Sequence, residues 1–141
     1  QIPEEMNIAS FKKNGFLFIK NYLKTKEEKD TLVRLVQKFE DMPDAPGKWM
    51  KYYETKADGS KMLGRIENYA DYDPWFHNLV YGDKIMNLVN ELMGERAVLY
   101  KEKINVKYPG GKGFTPHQDA PAYVTFGQTY HVSMMLAIDN C

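Results

Sequence analysis

The sequence predicts an α+β domain that becomes mainly β toward its C-terminus. Two stretches carry apolar residues at helical spacing: Leu32, Leu35, Val36 and Phe39 in one, Ile85, Leu88, Val89 and Leu92 in the other. Between them lies a polar, turn-centred stretch with the pattern of a hairpin. Beyond Gly94 the spacing changes to the two-residue alternation of strands, first over residues 97–108 and again over 130–138.

Taken in order, residues 1–7 show no strong pattern. Ile8 to Asn14 predicts a short helix, with Ile8 and Phe11 three apart and Gly15 as its stop. FLFIKNYL, Phe16 to Leu23, reads as a short, largely buried strand. Thr25 followed three residues later by Glu28 has capping-box spacing, and the helix it opens runs to about Glu40 with Lys26, Glu27, Lys29 and Asp30 in water. MPDAPGK is a loop. Trp49 to Glu54 and Met62 to Asn68 form a hairpin around Ala57-Asp58-Gly59-Ser60. Asp71 to Gly94 returns to helix, with Asp73 as N-cap before Pro74 and Gly94 as the end. Ala97 to Tyr108 is the longest predicted strand and Tyr130 to Ile138 another. There are no repeats, low-complexity runs or linkers, so residues 1–141 read as a single domain.

Composition narrows the function. At 43% apolar and 13% aromatic the chain can build a core. Nineteen basic residues balance nineteen acidic ones, which gives no reason to expect nucleic acid or an anionic membrane surface as partner. No apolar run approaches the roughly 20 residues needed to span a bilayer, and no signal-peptide core is visible at the N-terminus. The single cysteine, Cys141, excludes an internal disulfide framework and fits a reducing, cytoplasmic compartment. MMLAIDNC reads as a strand running into a turn, so the chain is expected to be the N-terminal part of a longer protein.

The chemistry concentrates in Lys101 to Asp119, KEKINVKYPGGKGFTPHQD: a strand, a glycine-rich turn, then His117-Gln118-Asp119. Alternate residues of an extended chain point the same way, so His117 and Asp119 can reach one metal. Imidazole plus carboxylate suits Fe(II), Mn(II) or Zn(II) better than calcium or magnesium. Such a triplet occurs by chance in many chains, and its setting is what adds weight. On the preceding strand Lys101, Lys103, Asn105 and Lys107 share one face, either a solvated surface or a cationic barrel mouth suited to an anionic ligand. His131, Ser133, Met135 and Ala137 share a face of the later strand, with the same ambiguity. Pro109-Gly110-Gly111-Lys112-Gly113 lacks the ending of a phosphate-binding loop and reads as a tight turn. His77, among aromatic residues, reads as structural. Arg65 is either a surface cation or a bidentate partner for a carboxylate or phosphate. Cys141 has no nearby histidine that would make it a nucleophile.

KINVKYPGGKGFTPHQDAPAY followed by TYHVSMMLAIDNC resembles the phytanoyl-CoA dioxygenase family of Fe(II)/2-oxoglutarate oxygenases, most densely between about Leu63 and Cys141. The resemblance implies a double-stranded β-helix (jelly-roll) core with N-terminal helices packed outside, incomplete in this chain. The helical prelude would occupy about residues 1–96, and the first core strands with the HxD motif about 97–141. It also implies a 2-His-1-carboxylate iron site with open positions for 2-oxoglutarate and O2. Under it His117 and Asp119 match the first two iron ligands. Arg65, Asn105, Phe114 and Ser133 match positions around 2-oxoglutarate. Gln118 matches a pocket wall, and Lys103 and Tyr123 fall toward the substrate. The family's second iron histidine and its 2-oxoglutarate-pairing arginine follow well downstream of HxD. His131, 12 residues past Asp119, is a poor substitute. Weak iron binding and no turnover are therefore expected of residues 1–141 alone.

The aromatics after the ligands, Tyr123, Phe126 and Tyr130, would pack an apolar group or cage a methylated ammonium, while the lysine strand favours an anionic end. Together they point to a small zwitterion, such as an amino- or trimethylammonio-alkylphosphonate or a betaine-like acid. An acyl-CoA or lipid-like substrate stays open. So do a non-catalytic jelly-roll binding protein and a cupin-like metalloprotein. The oligomeric state is not legible in the sequence.

Overall fold

Helix α2, Lys26–Asp41, organises the core and starts where its cap dictates. The Thr25 hydroxyl accepts the Glu28 amide N–H at 3.1 Å, and the Glu28 carboxylate accepts the Thr25 N–H at 2.9 Å. From that start, helical spacing turns Leu32, Leu35, Val36 and Phe39 to one side, and all four are buried. The computed structural model describes residues 4–119, 121, 125, 127, 128 and 130–139. The expected roles of Tyr123, Phe126 and Cys141 fall outside the described residues.

Helix α1, Glu4–Asn14, precedes α2 and ends at Gly15 (φ +77°), whose N–H returns to the Phe11 carbonyl at 2.7 Å. After α2 come strands β1, Met50–Thr55, and β2, Lys61–Glu67, an antiparallel hairpin. Its turn is the predicted one: Asp58 accepts from both the N–H and the hydroxyl of Ser60, and Gly59 takes φ +83°. A 3-10 turn, Ala70–Tyr72, leads to α3, Pro74–Tyr81. Asp73 caps α3 by accepting the Trp75 and Phe76 N–H groups at 2.9 and 3.3 Å. Helix α4, Asp83–Met93, ends at Gly94 in the left-handed region (φ +72°). Strand β3, Lys103–Asn105, joins β2 to give one antiparallel sheet of order β1-β2-β3.

The sheet lays its apolar face on α2. Ile66 and Ile104 are opposite each other across β2 and β3, and both are buried. Phe39 is fully buried at their centre, within 6.1, 6.0 and 5.7 Å of the ring centres of Trp49, Tyr69 and Phe76, each met edge-on. Burial pushes the Tyr69 phenol well above its ordinary range, and the Glu102 carboxylate adds to the shift.

Three strand expectations need correction. Phe16 to Leu23 is irregular rather than a buried strand, with Phe16 and Phe18 66% and 71% exposed and only Leu23 buried. An apolar run becomes a strand only where a neighbour supplies a ladder, and this run instead borders an open apolar cleft of about 1420 Å³. Residues 130–139 border the same cleft, and Tyr130 to Ile138 forms no strand either. Of the strand expected over Ala97 to Tyr108, only Lys103–Asn105 pairs in the ladder. A double-stranded β-helix needs two facing sheets, and the described residues form one three-stranded sheet with helices beside it. Among the described residues no helix is long and apolar enough to cross a membrane.

Candidate functional site

Antiparallel pairing puts opposed residues on the same face of a sheet. Arg65 is opposite Asn105, and Glu67 is opposite Lys103. Because Ile66 and Ile104 take the core face, Arg65, Glu67, Lys103 and Asn105 share the other. The predicted alternation of the lysine strand is thus real where the ladder exists. Tyr52, opposite Arg65 on β1, extends this face, and the guanidinium carbon lies 4.4 Å from its ring centre.

Glu67 is the centre of this patch and a residue that the sequence did not single out. It is buried, and its Oε1 lies 2.8 Å from Arg65 Nε and 2.9 Å from Lys101 Nζ. The Arg65–Glu67 contact is an ion pair by distance without hydrogen-bond alignment. The available signal was its period: in LGRIEN, Glu67 is two residues from Arg65, so the two charges must share a face.

The second cluster is on the glycine-rich loop. Pro109 and Gly110 occupy the centre of a turn closed by Gly111 N–H to the Tyr108 carbonyl at 3.0 Å, and Gly110 takes φ +83°, as a type II turn requires. Lys107 then bridges the loop, with Nζ 3.0 Å from the Lys112 carbonyl and 4.3 Å from the Phe114 ring centre. Phe114 meets His117 edge-on at 6.2 Å between ring centres. His117 Nδ1 is 2.7 Å from the Thr115 carbonyl oxygen, an acceptor for an Nδ1–H in the tautomer that a metal held at Nε2 would require. Nε2 lies 3.3 Å from Asp119 Oδ1. The Ser133 hydroxyl donates to Asp119 Oδ2 at 3.1 Å. Gln118 is exposed between the two ligand candidates.

This pair fits a metal. Two donors each about 2.0–2.2 Å from one ion and roughly at right angles are about 3 Å apart, and the His117–Asp119 separation is close to that. Outer partners orient both side chains, as at metal sites generally. Among the described residues no group of three or more His, Cys, Asp or Glu side chains occurs that could hold a metal, so this pair would supply only part of a site. His77 stands apart, tilted against Tyr81 at 4.7 Å between ring centres and 4.0 Å from Asp71, with its side chain 57% exposed.

The structure therefore joins Arg65, Asn105 and Lys103 on the sheet face, and joins Phe114, His117, Asp119 and Ser133 around the loop. Glu54 connects the two elements: its carboxylate accepts the Lys112 N–H at 2.9 Å. The sequence reading missed it, since a lone glutamate in YYETK carries no pattern.

The chain is 48% identical over 132 residues to a 2-aminoethylphosphonate dioxygenase of an uncultured bacterium, covering 93% of the chain and 50% of the relative. It is 34% identical over 135 residues to a methylphosphonate hydroxylase of Gimesia maris, covering 96% of the chain and 50% of the relative. A probable alpha-ketoglutarate-dependent hypophosphite dioxygenase of Stutzerimonas stutzeri is 33% identical over 73 residues, 52% of the chain and 26% of that relative. The chain thus spans about half the length of the first two. No solved structure matches it. The sequence model of phytanoyl-CoA dioxygenase (PhyH) matches residues 11–141, nearly the whole chain, and the chain belongs to that family.

Proposed function

We propose that this chain carries the first two iron ligands and part of the cosubstrate pocket of an Fe(II)/2-oxoglutarate-dependent dioxygenase that hydroxylates a small phosphonate-type zwitterion. The carrying observation is the His117–Asp119 pair, 3.3 Å apart and oriented by Thr115 and Ser133, in a chain of this family. When bound, Fe(II), 2-oxoglutarate and O2 supply the oxidising chemistry, which converts 2-oxoglutarate to succinate and CO2 as the substrate is hydroxylated. The protein's own part is binding and orientation.

His117 Nε2 and Asp119 Oδ1 would hold the iron, and a further histidine and an arginine would come from outside residues 1–141. Arg65, fixed by Glu67 and stacked on Tyr52, presents a guanidinium suited to a carboxylate. Asn105, directly opposite it, offers an amide to the same anion. Phe114 walls the pocket beside His117, while the Ser133 hydroxyl holds Asp119 and faces the cosubstrate side. Lys103, Gln118 and Tyr123 are assigned to the substrate. The jelly-roll core belongs to the same proposal, supported by family membership, with β3 among its strands. The 48% identity to a protein named for 2-aminoethylphosphonate favours a phosphonate over an acyl-CoA or lipid-like substrate.

The test is an anaerobic absorption titration of the full-length protein with Fe(II) and 2-oxoglutarate. A weak charge-transfer band is expected, and His117→Ala or Asp119→Ala abolishes it. Succinate release with 2-aminoethylphosphonate, but not with acyl-CoA thioesters, then identifies the substrate class. Absence of the band in the unmodified protein overturns the oxygenase reading in favour of a binding scaffold or a cupin-like metalloprotein.

A further inference from the structure

Glu54, near the end of β1, lies in a slot beside Gly64 that a side chain there would crowd. A β-carbon built on Gly64 would lie 3.1 Å from Glu54 Oε1 and 3.3 Å from its Cγ. One built on Gly111 would lie 3.0 Å from the Tyr108 carbonyl and 3.1 Å from the Met62 methyl, with Glu54 Oε2 at 3.8 Å. The strand register also slips between Tyr52 and Tyr53, where β1 pairs Tyr52 with Arg65 but Tyr53 with Leu63. That slip leaves Gly64 without a partner on β1, beside the Glu54 side chain. From this slot Oε2 reaches across 58 residues of sequence to accept the Lys112 N–H at 2.9 Å.

The bond falls at a consequential place. Lys112 follows the type II turn and precedes Gly113, where the backbone has no side chain to hold it, and His117 comes five residues later. Lys107 pins the carbonyl of the same residue and stacks under Phe114, which contacts the His117 ring. Lys112 is therefore clamped at both its N–H and its carbonyl, by β1 and by the chain beyond β3. We propose that Glu54 is a positioning residue for the metal loop: by holding the Lys112 amide against the hairpin it sets where His117 presents Nε2. This rests on the reading of His117 and Asp119 as metal ligands.

The experiment uses the full-length protein, with Mn(II) as a redox-stable probe and amide hydrogen exchange at Lys112 as a readout that needs no metal. Partners that orient a ligand typically contribute a 10–100-fold effect on metal affinity, and Glu54→Ala is expected to weaken Mn(II) binding by about that factor while Lys112 exchange speeds up. Glu54→Gln keeps an oxygen that accepts the same N–H, so its affinity should stay within about threefold of the unmodified protein. Glu54→Asp keeps the charge but falls one methylene short, and should behave as Glu54→Ala does. Fast Lys112 exchange with undiminished Mn(II) affinity in Glu54→Ala overturns the positioning role. So does unchanged exchange, or a Glu54→Asp that matches Glu54→Gln. A full-length protein that binds no Mn(II) at all overturns the metal-site reading itself, a result distinct from these.

Discussion

Individual side chains here act mostly by holding another side chain. Ser133 is the clearest case, since its hydroxyl reaches the free oxygen of the Asp119 carboxylate. Ser133→Ala should lower Mn(II) affinity by about tenfold, at the low end for such partners, with little change in the unfolding midpoint because both residues are exposed. Glu67 holds Arg65 and Lys101 in the same way. Breaking a fully buried ion pair costs about 3–5 kcal/mol, but Arg65 and Lys101 keep 32% and 40% of their side chains exposed. Glu67→Ala should therefore cost less, about 1–3 kcal/mol, measured by urea unfolding. Tyr69 gives a pH signature. Its folded-state pKa is raised by burial, so its contribution to stability is complete below the unfolded phenol's value and declines as pH rises past it. Between about pH 10 and the folded value the protein should lose stability by up to about 1.4 kcal/mol per pH unit through this group. Tyr69→Phe should flatten that part of the alkaline unfolding profile.

Helix ends and turns were read most accurately from the sequence because their determinants lie within four residues. Thr25 with Glu28, Asp73 before Pro74, Asp58-Gly59-Ser60, Gly15 and Gly94 all do what their spacing predicts. Thr25→Ala should cost about 1 kcal/mol, read as a shift in the urea midpoint. The Glu28 carboxylate is held below its usual range chiefly by the Thr25 and Lys24 N–H groups. Its contribution is therefore present above the unfolded carboxylate range and lost as pH falls through the folded value. Glu28→Gln should remove that acid sensitivity at the start of α2, followed by amide exchange in its first turn. Strands were read less well. Phe16 to Leu23, Ala97 to Tyr108 and Tyr130 to Ile138 have the composition of strands, but a strand also needs a hydrogen-bonding neighbour, and among them the ladder to β2 covers Lys103–Asn105, with one further bond from the Val106 N–H to the Gly64 carbonyl.

At the scale of the molecule, α2 and the sheet meet around Phe39, and the apolar cleft lies on the side bordered by residues 15–23 and 130–139. Phe39→Ala removes the ring that touches Trp49, Tyr69 and Phe76, and should cost about 3–5 kcal/mol in denaturant unfolding. The sequence by itself determined helix α2, the caps at Thr25 and Asp73, the stops at Gly15 and Gly94, the hairpin and the His117–Asp119 motif, because each depends on residues close in the chain; the break at Gly82, which divides the helix expected over Asp71 to Gly94 into α3 and α4, went unread. It also made the common face of Arg65 and Glu67, and of Lys103 and Asn105, readable through alternation. Only the tertiary structure decided that Glu67 is buried between two cations, that Glu54 reaches the loop from beside Gly64, and that Ser133 meets Asp119. Those contacts join residues 14 to 58 positions apart or depend on burial. Whether a given carboxylate lies in water or against a distant amide is set by how the elements pack, which no local pattern encodes.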